Sequence, residues 1–162
     1  MRTDVADATP LTGAGGFRFA IVYSRFNDAI TTRLRDGARA ALSEAGAADA
    51  DVETVSVPGA FELPQAARCL GETGRFDAIV CLGCVIRGAT AHFEYISSSV
   101  AHAIQEASAD TGVPIAFGVL TTDSWAQAEE RAVDGRANKG FEAAAAAIEM
   151  AQLFRRWHPA RS

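Results

Sequence analysis

Lysine is almost missing from this chain: of 15 lysines and arginines, only Lys139 is a lysine. A basic excess is missing as well. With a formal net charge of −5 the chain has no basic face to neutralise a row of phosphates, which excludes a nucleic-acid binder; any anion it holds must be gripped by a local site. The three cysteines are an odd count without framework spacing, so a disulfide scaffold is excluded and a reduced, intracellular setting is expected. Apolar runs stay far below the ~20 residues of a membrane span, and no basic segment followed by an apolar stretch opens the chain. No membrane partner is expected, and a soluble, cytoplasmic protein is. What remains is globular material: 162 residues, 49% hydrophobic and 22% charged, which excludes disorder and low complexity and suffices for one domain with its own core.

Residues 1–16 are small, polar and punctuated by Thr9-Pro10, Gly13 and Gly15-Gly16, so they read as an N-terminal tail. From there a single domain is expected over 17–158, in which short apolar segments alternate with helical ones. The apolar segments are Phe17–Tyr23, Val52–Val57, Ala78–Ile86 and Ile115–Leu120. Three are nearly continuous apolar runs, as expected of strands covered on both faces, whereas Val52–Val57 alternates and belongs near an edge. Between them, Ile30, Leu34, Ala38, Ala41 and Ala45 mark one helix face before Gly46, and Ile96, Val100, Ala103 and Ala107 mark another before Gly112. A shorter helix follows Pro64, Ser124 with Gln127 forms a capping box for another, and Met150, Leu153, Phe154 and Trp157 mark the last. Strict alternation predicts βαβ units in an α/β, three-layer αβα sandwich, with a flavodoxin-like four-stranded parallel sheet. Such sheets bind ligands at the carboxyl ends of their strands.

Four loops lie at those ends. In Ser24-Arg25-Phe26-Asn27-Asp28, Asn27 or Asp28 is a natural N-cap, and Phe26 is either a hydrophobic staple or a stacking platform for a flat ring. In Pro58-Gly59-Ala60-Phe61-Glu62, Glu62 either favours the dipole of the following helix or accepts hydrogen bonds from ligand hydroxyls. In Arg87-Gly88-Ala89-Thr90-Ala91-His92, a strand runs into small residues and then a helix, which is a ready anion site. A histidine in the first turn of that helix is either a proton carrier beside the anion or a packing residue. Cys81 and Cys84 have CxxC spacing, but in a strand they face opposite sides and no second ligand pair exists, so no metal site is read. Judged singly, Arg131 and Lys139 are solvated charges.

Read together, these strings resemble the 6,7-dimethyl-8-ribityllumazine synthase family of riboflavin biosynthesis. The strings are Ser24-Arg25-Phe26-Asn27, Val57 to Glu62, Gly83 to Tyr95, Phe117 to Thr122, Glu130-Arg131-Ala132 and Asn138-Lys139-Gly140. Six in the family's order and spacing, from Phe17 to about Trp157, are specific. The resemblance implies a metal-free and cofactor-free condensation of 5-amino-6-(D-ribitylamino)uracil with 3,4-dihydroxy-2-butanone 4-phosphate, giving the lumazine, phosphate and water. Phe26 would stack on the pyrimidine, with Asn27 beside it. Glu62 and the backbone of Ala60 and Phe61 would hold the ribityl chain, and backbone groups of Cys84, Val85 and Ile86 would read the uracil edge. Gly88, Ala89 and Thr90 would receive the phosphate, with Arg131 as its charged clamp, and His92 would carry protons. Phe117 and Lys139 would complete the site from a neighbouring subunit.

A shared site implies a homo-oligomer: a pentamer, and in some members an icosahedral shell, towards which the short connection after Arg131 leans. Riboflavin synthase is a further candidate partner, and the tail would suit a neighbour's sheet edge. An archaeal-type riboflavin synthase would need no phosphate site, and a non-catalytic shell or flavin-binding paralogue would not need His92 and Arg131. A generic flavodoxin-like binding domain leaves the six strings unexplained.

Overall fold

A computed structural model describes residues 9–159; of the expected N-terminal tail, residues 1–8 lie outside the described residues. The order is β1 (Phe19–Ser24), α1 (Asp28–Glu44), β2 (Val52–Val57), α2 (Leu63–Glu72), β3 (Ala78–Ile86), α3 (His92–Thr111), β4 (Ile115–Thr122), α4 (Trp125–Arg131) and α5 (Lys139–Trp157). Short 3-10 turns, Asp49–Asp51 and Ala60–Glu62, lead into β2 and α2. The sheet has the order β2-β1-β3-β4 and every pairing is parallel. This is the expected three-layer α/β architecture.

Side-chain alternation divides the core between the two faces of the sheet. On one, Phe19, Ile21, Val80 and Leu82 pack with Ile30 and Leu34 of α1 and Ala144 and Ile148 of α5. On the other, Ala20, Val22, Ile79 and Cys81 pack with Leu63 and Ala67 of α2 and Val100 and Ile104 of α3. Cys81 and Cys84 indeed fall into opposite clusters. Burial pushes the Cys81 thiol up to about 12 and that of Cys84 to about 11, so both are inert core residues. Helix α1 closes as its sequence predicts: Gly46 adopts φ +97° and the Ala47 N–H reaches back to the Leu42 carbonyl at 2.9 Å.

Three local readings need correction. Gln127 makes only half a capping box: its N–H donates to Ser124 Oγ at 3.2 Å, but its side chain accepts from Asp123 N–H at 2.9 Å, one residue before the cap. Ala14 is fully buried and Leu11 packs on the α1/α5 cluster, so the segment after Pro10 is tied to the core. Strand β4 is not covered on both faces. Its first half is an open edge in a single chain, with Ile115 and Ala116 half-buried and Phe117 46% exposed.

Candidate active site

Strands β1, β2 and β3 release the chain at one end of the sheet, and a cleft of about 490 Å³ opens there. The helices that start at this end, α1, α2 and α3, carry no side-chain cap. By contrast, Ser124 caps α4 and Asn138 caps α5. An uncapped helix start presents N–H donors and the positive end of the macrodipole. Three of them around one cleft make it a place for anions and hydrogen-bond acceptors.

From the β1 end, Phe26 lines the cleft and is 70% exposed. A staple would be packed against its helix, so the stacking-platform geometry is the one observed. Its backbone is held firmly: Arg25 N–H donates to Val57 O at 2.8 Å and Phe26 N–H to Pro58 O at 3.1 Å, which extends the ladder past the end of the sheet. Asn27 is the N-cap of α1 by position, but its side chain does not cap. It sits at φ 62°, ψ 45°, alone among described non-glycine residues in positive φ, and Nδ2 donates to Cys84 O at 3.0 Å. The amide therefore ties the Phe26 loop to the end of β3 from behind the cleft. Its strained conformation, of a kind that clusters at functional sites, is held by that bond.

This separates two costs. Asn27→Gly loses the hydrogen bond, about 1 kcal/mol, but also removes a Cβ from left-handed backbone, so its net change is expected to be small. Asn27→Ala loses the same bond, keeps the Cβ and should be ~1–2 kcal/mol less stable than Asn27→Gly. Urea midpoints of the two variants check it; equal midpoints would mean the loop relaxes out of its strained conformation.

From the β2 end come Pro58, Gly59, Ala60 and Glu62. Glu62 is half-buried at the N-cap of α2 without capping it, which leaves its carboxylate to accept from a ligand. Phe61 stands exposed beside the cleft. From β3 come Cys84, Val85 and Ile86, then Gly88 and Thr90, and from the first turn of α3 His92 and Phe93. Ala89 lies on the surface between Gly88 and Thr90. The start of α3 is preceded by Ala91, which has nothing to cap with, and only a long 3.4 Å contact from His92 N–H to Thr90 Oγ1 occupies it. The His92 side chain is exposed.

The remaining predicted residues lie elsewhere. Phe117, Arg131 and Lys139 line a second cleft of about 420 Å³ that runs along β4 between α4 and α5. Arg131 Nη1 donates to Gln127 O in its own helix at 2.9 Å, and among the described residues no carboxylate pairs with it. Lys139 Nζ is paired with Glu142 at 2.9 Å. Within one chain, then, Arg131 is not at the Gly88–Thr90 turn. Pro58, Gly59 and Phe93 line the first cleft, and Glu142 the second, without having been singled out in the sequence. Only Glu142, three residues from Lys139 on one helix face, carried a legible signal.

Comparison with known proteins gives a consistent picture. A family model described as 6,7-dimethyl-8-ribityllumazine synthase matches residues 16–155. The chain is similar to the 6,7-dimethyl-8-ribityllumazine synthase of Syntrophus aciditrophicus (strain SB), 57% identical over 142 residues, which cover 88% of this chain and 92% of the relative.

Proposed function

We propose, for a chain that belongs to the 6,7-dimethyl-8-ribityllumazine synthase family, a division of the family's condensation between its two clefts. The enzyme is a transferase of riboflavin biosynthesis that joins 5-amino-6-(D-ribitylamino)uracil to 3,4-dihydroxy-2-butanone 4-phosphate. The first cleft would take the uracil: Phe26 stacks on the ring, backbone groups of Cys84, Val85 and Ile86 read its edge, and Glu62 accepts from the ribityl hydroxyls. Asn27 holds this arrangement from behind rather than touching the ligand. The phosphate ester would lie on the Gly88-Ala89-Thr90 turn at the uncapped start of α3, with His92 one step away.

The observation that carries the reading is the separation of Arg131, Phe117 and Lys139 into a cleft of their own on the open side of β4. An arginine fork without a carboxylate partner and an aromatic left exposed on an edge strand supply what the first cleft lacks, namely a phosphate clamp and a second wall. Two copies joined head to tail would bring the halves together, and such an interface repeats around a ring until it closes. A pentamer is the proposed ring. The short connection 132–138 between α4 and α5 favours its further assembly into a shell. A soluble, cytoplasmic enzyme fits the same proposal; no described helix is long and apolar enough to cross a membrane.

The test is complementation. A chain crippled in the first cleft (Glu62→Ala with Phe26→Ala) is co-refolded with one crippled in the second (Arg131→Ala with Phe117→Ala). Random equal mixing in a ring regenerates about one intact site in four if sites form between chains, and none if each chain holds its own. Sedimentation of the same mixture reads the ring size.

Most of the acceleration then comes from holding two reactants in place, which can supply ~7–11 kcal/mol. His92 assists imine formation and loss of phosphate as a proton carrier. Because positioning carries most of the acceleration, His92→Ala is expected to lower kcat only about tenfold, below the usual ~10²–10⁴ of general acid–base catalysis. A folded His92→Ala protein without turnover would overturn that role.

A further inference from the structure

Arg87 belongs to the strand end that feeds the site, yet the assignment above gives it nothing to do. Its backbone N–H donates to Thr122 O at 2.8 Å, one step beyond the β3–β4 ladder. Its guanidinium lies 4.5 Å from the ring centre of Phe93, which lines the first cleft. Nε donates to Asp123 at 2.8 Å and Nη1 donates to Glu94. One cation thus joins two carboxylates from two elements, the first turn of α3 and the end of β4, directly beside the Gly88-Ala89-Thr90 turn. All three side chains are about half-exposed or more, so the pairs add little to stability. Their interest is their field.

We propose that Arg87 is a positioning residue for the phosphate ester, acting as the fixed counter-ion shared by Glu94 and Asp123 and so halving the negative charge beside the anion turn. This rests on the reading that the phosphate lies on the Gly88–Thr90 turn. Nε and Nη1 are engaged by the two carboxylates and the flat face by Phe93, so gripping the ester falls mainly to the turn and to Arg131. Removing it takes the local sum from one positive and two negative charges to two negative charges alone. A dianion approaching the α3 start then meets a net charge of two negatives where it met one, and so a stronger repulsion.

The readout is competitive inhibition by inorganic phosphate against the butanone phosphate, measured on the full assembled enzyme at low salt. Arg87→Met keeps the length and the contact with Phe93 but drops the charge. It is expected to weaken phosphate inhibition and to raise the KM for the butanone phosphate by roughly three- to tenfold, an effect that shrinks in 0.5 M KCl as screening shortens to ~4 Å. The KM for the ribitylaminouracil and kcat at saturation should change less than twofold. In the triple variant Arg87→Met/Glu94→Gln/Asp123→Asn, phosphate inhibition should return at least to the parent's level, because the carboxylates that needed cancelling are gone.

A triple variant as weak as Arg87→Met would overturn the proposal in favour of direct contact or a purely structural role, as would an Arg87→Met enzyme inhibited by phosphate like the parent. Failure of phosphate to compete in the parent enzyme would remove the anion-turn reading itself, and the proposal with it.

Discussion

Arg131→Ala is expected to raise the KM for the butanone phosphate roughly ten- to a hundredfold, since a hydrogen bond to a charged group contributes ~1.5–3 kcal/mol and each 1.4 kcal/mol is a factor of ten. The KM for the ribitylaminouracil should stay within about twofold, because the stacking wall and strand-end carbonyls belong to the other cleft. Two features of the structure make this the largest functional effect. The guanidinium is half-buried, and its described contact is one hydrogen bond to Gln127 O of its own helix, so most of the fork can be offered to a ligand. Lys139 is a poorer substitute, because its charge is already paired with Glu142 at 2.9 Å and an ammonium lacks the two-pronged geometry.

For the same reason the variant should fold normally: a side chain without a buried partner usually costs less than ~0.5 kcal/mol on removal. Arg131→Lys should recover only part of the loss, since an ammonium keeps the charge but not the two-pronged geometry. Initial rates with each substrate varied in turn decide it. A rise confined to the ribitylaminouracil would place Arg131 on the wrong reactant.

The fold was legible in the chain because its signals are local. The four apolar runs fell on the four strands, and the alternation in Val52–Val57 placed that strand at the edge, where β2 lies. Gly46 and Gly112 marked the ends of α1 and α3. What failed were features decided by contacts far along the chain. Ile115–Leu120 reads as a strand buried on both faces, and its apolar content is real, but the short α4 leaves its first half uncovered. The missing cover is the reason to look for a second chain. Asn27 was legible as a helix cap from its type and position. That its amide would instead reach Cys84, 57 residues away, depended on how close β1 and β3 lie.

The site residues show the same division. Phe26, Glu62 and His92 could be picked out as aromatic, carboxylate and imidazole at strand ends, and the structure gathers them into one cleft. Spacing alone could not say that Arg131 would stand apart from Gly88 and Thr90. A motif lists which groups a reaction needs, whereas the fold decides which of them one chain can bring together.

Gly140→Ala should be the most destabilising conservative change in the protein, and although Gly140 stands in the Asn138-Lys139-Gly140 string, the string does not say why a glycine is needed there. A Cβ on Gly140 would lie 1.9 Å from the carbonyl oxygen of Leu34 and 2.6 Å from its carbon. Neither atom can rotate away, because both are backbone of α1. The helices must part, and overpacking of this kind costs ~1–3 kcal/mol or more. The contact is also tied in from the side. Asn138, 1% exposed, accepts from Gly140 N–H at 2.8 Å and from Phe141 N–H at 3.2 Å, while its Nδ2 donates to Arg33 O at 3.1 Å. One amide thus caps α5 and pins it to α1, and Gly37 leaves the room for it, since a Cβ there would lie 2.2 Å from Asn138 Oδ1.

Separating the helices by even one ångström strains the one bond that crosses between them, Asn138 Nδ2 to Arg33 O, and a buried amide donor left unpaired adds ~1–3 kcal/mol. A total near 3 kcal/mol corresponds to a melting temperature lower by about 10 °C for a chain of this size. The damage should reach function as well, because Lys139 is the first residue of the displaced helix and lines the second cleft. Asn138→Ala separates the two effects: it removes the pin without forcing the helices apart, and should cost about half as much. Thermal unfolding of the three proteins orders them, with Gly140→Ala lowest. A Gly140→Ala protein as stable as the parent would mean that α1 and α5 are not held at the distance that places Lys139 beside β4.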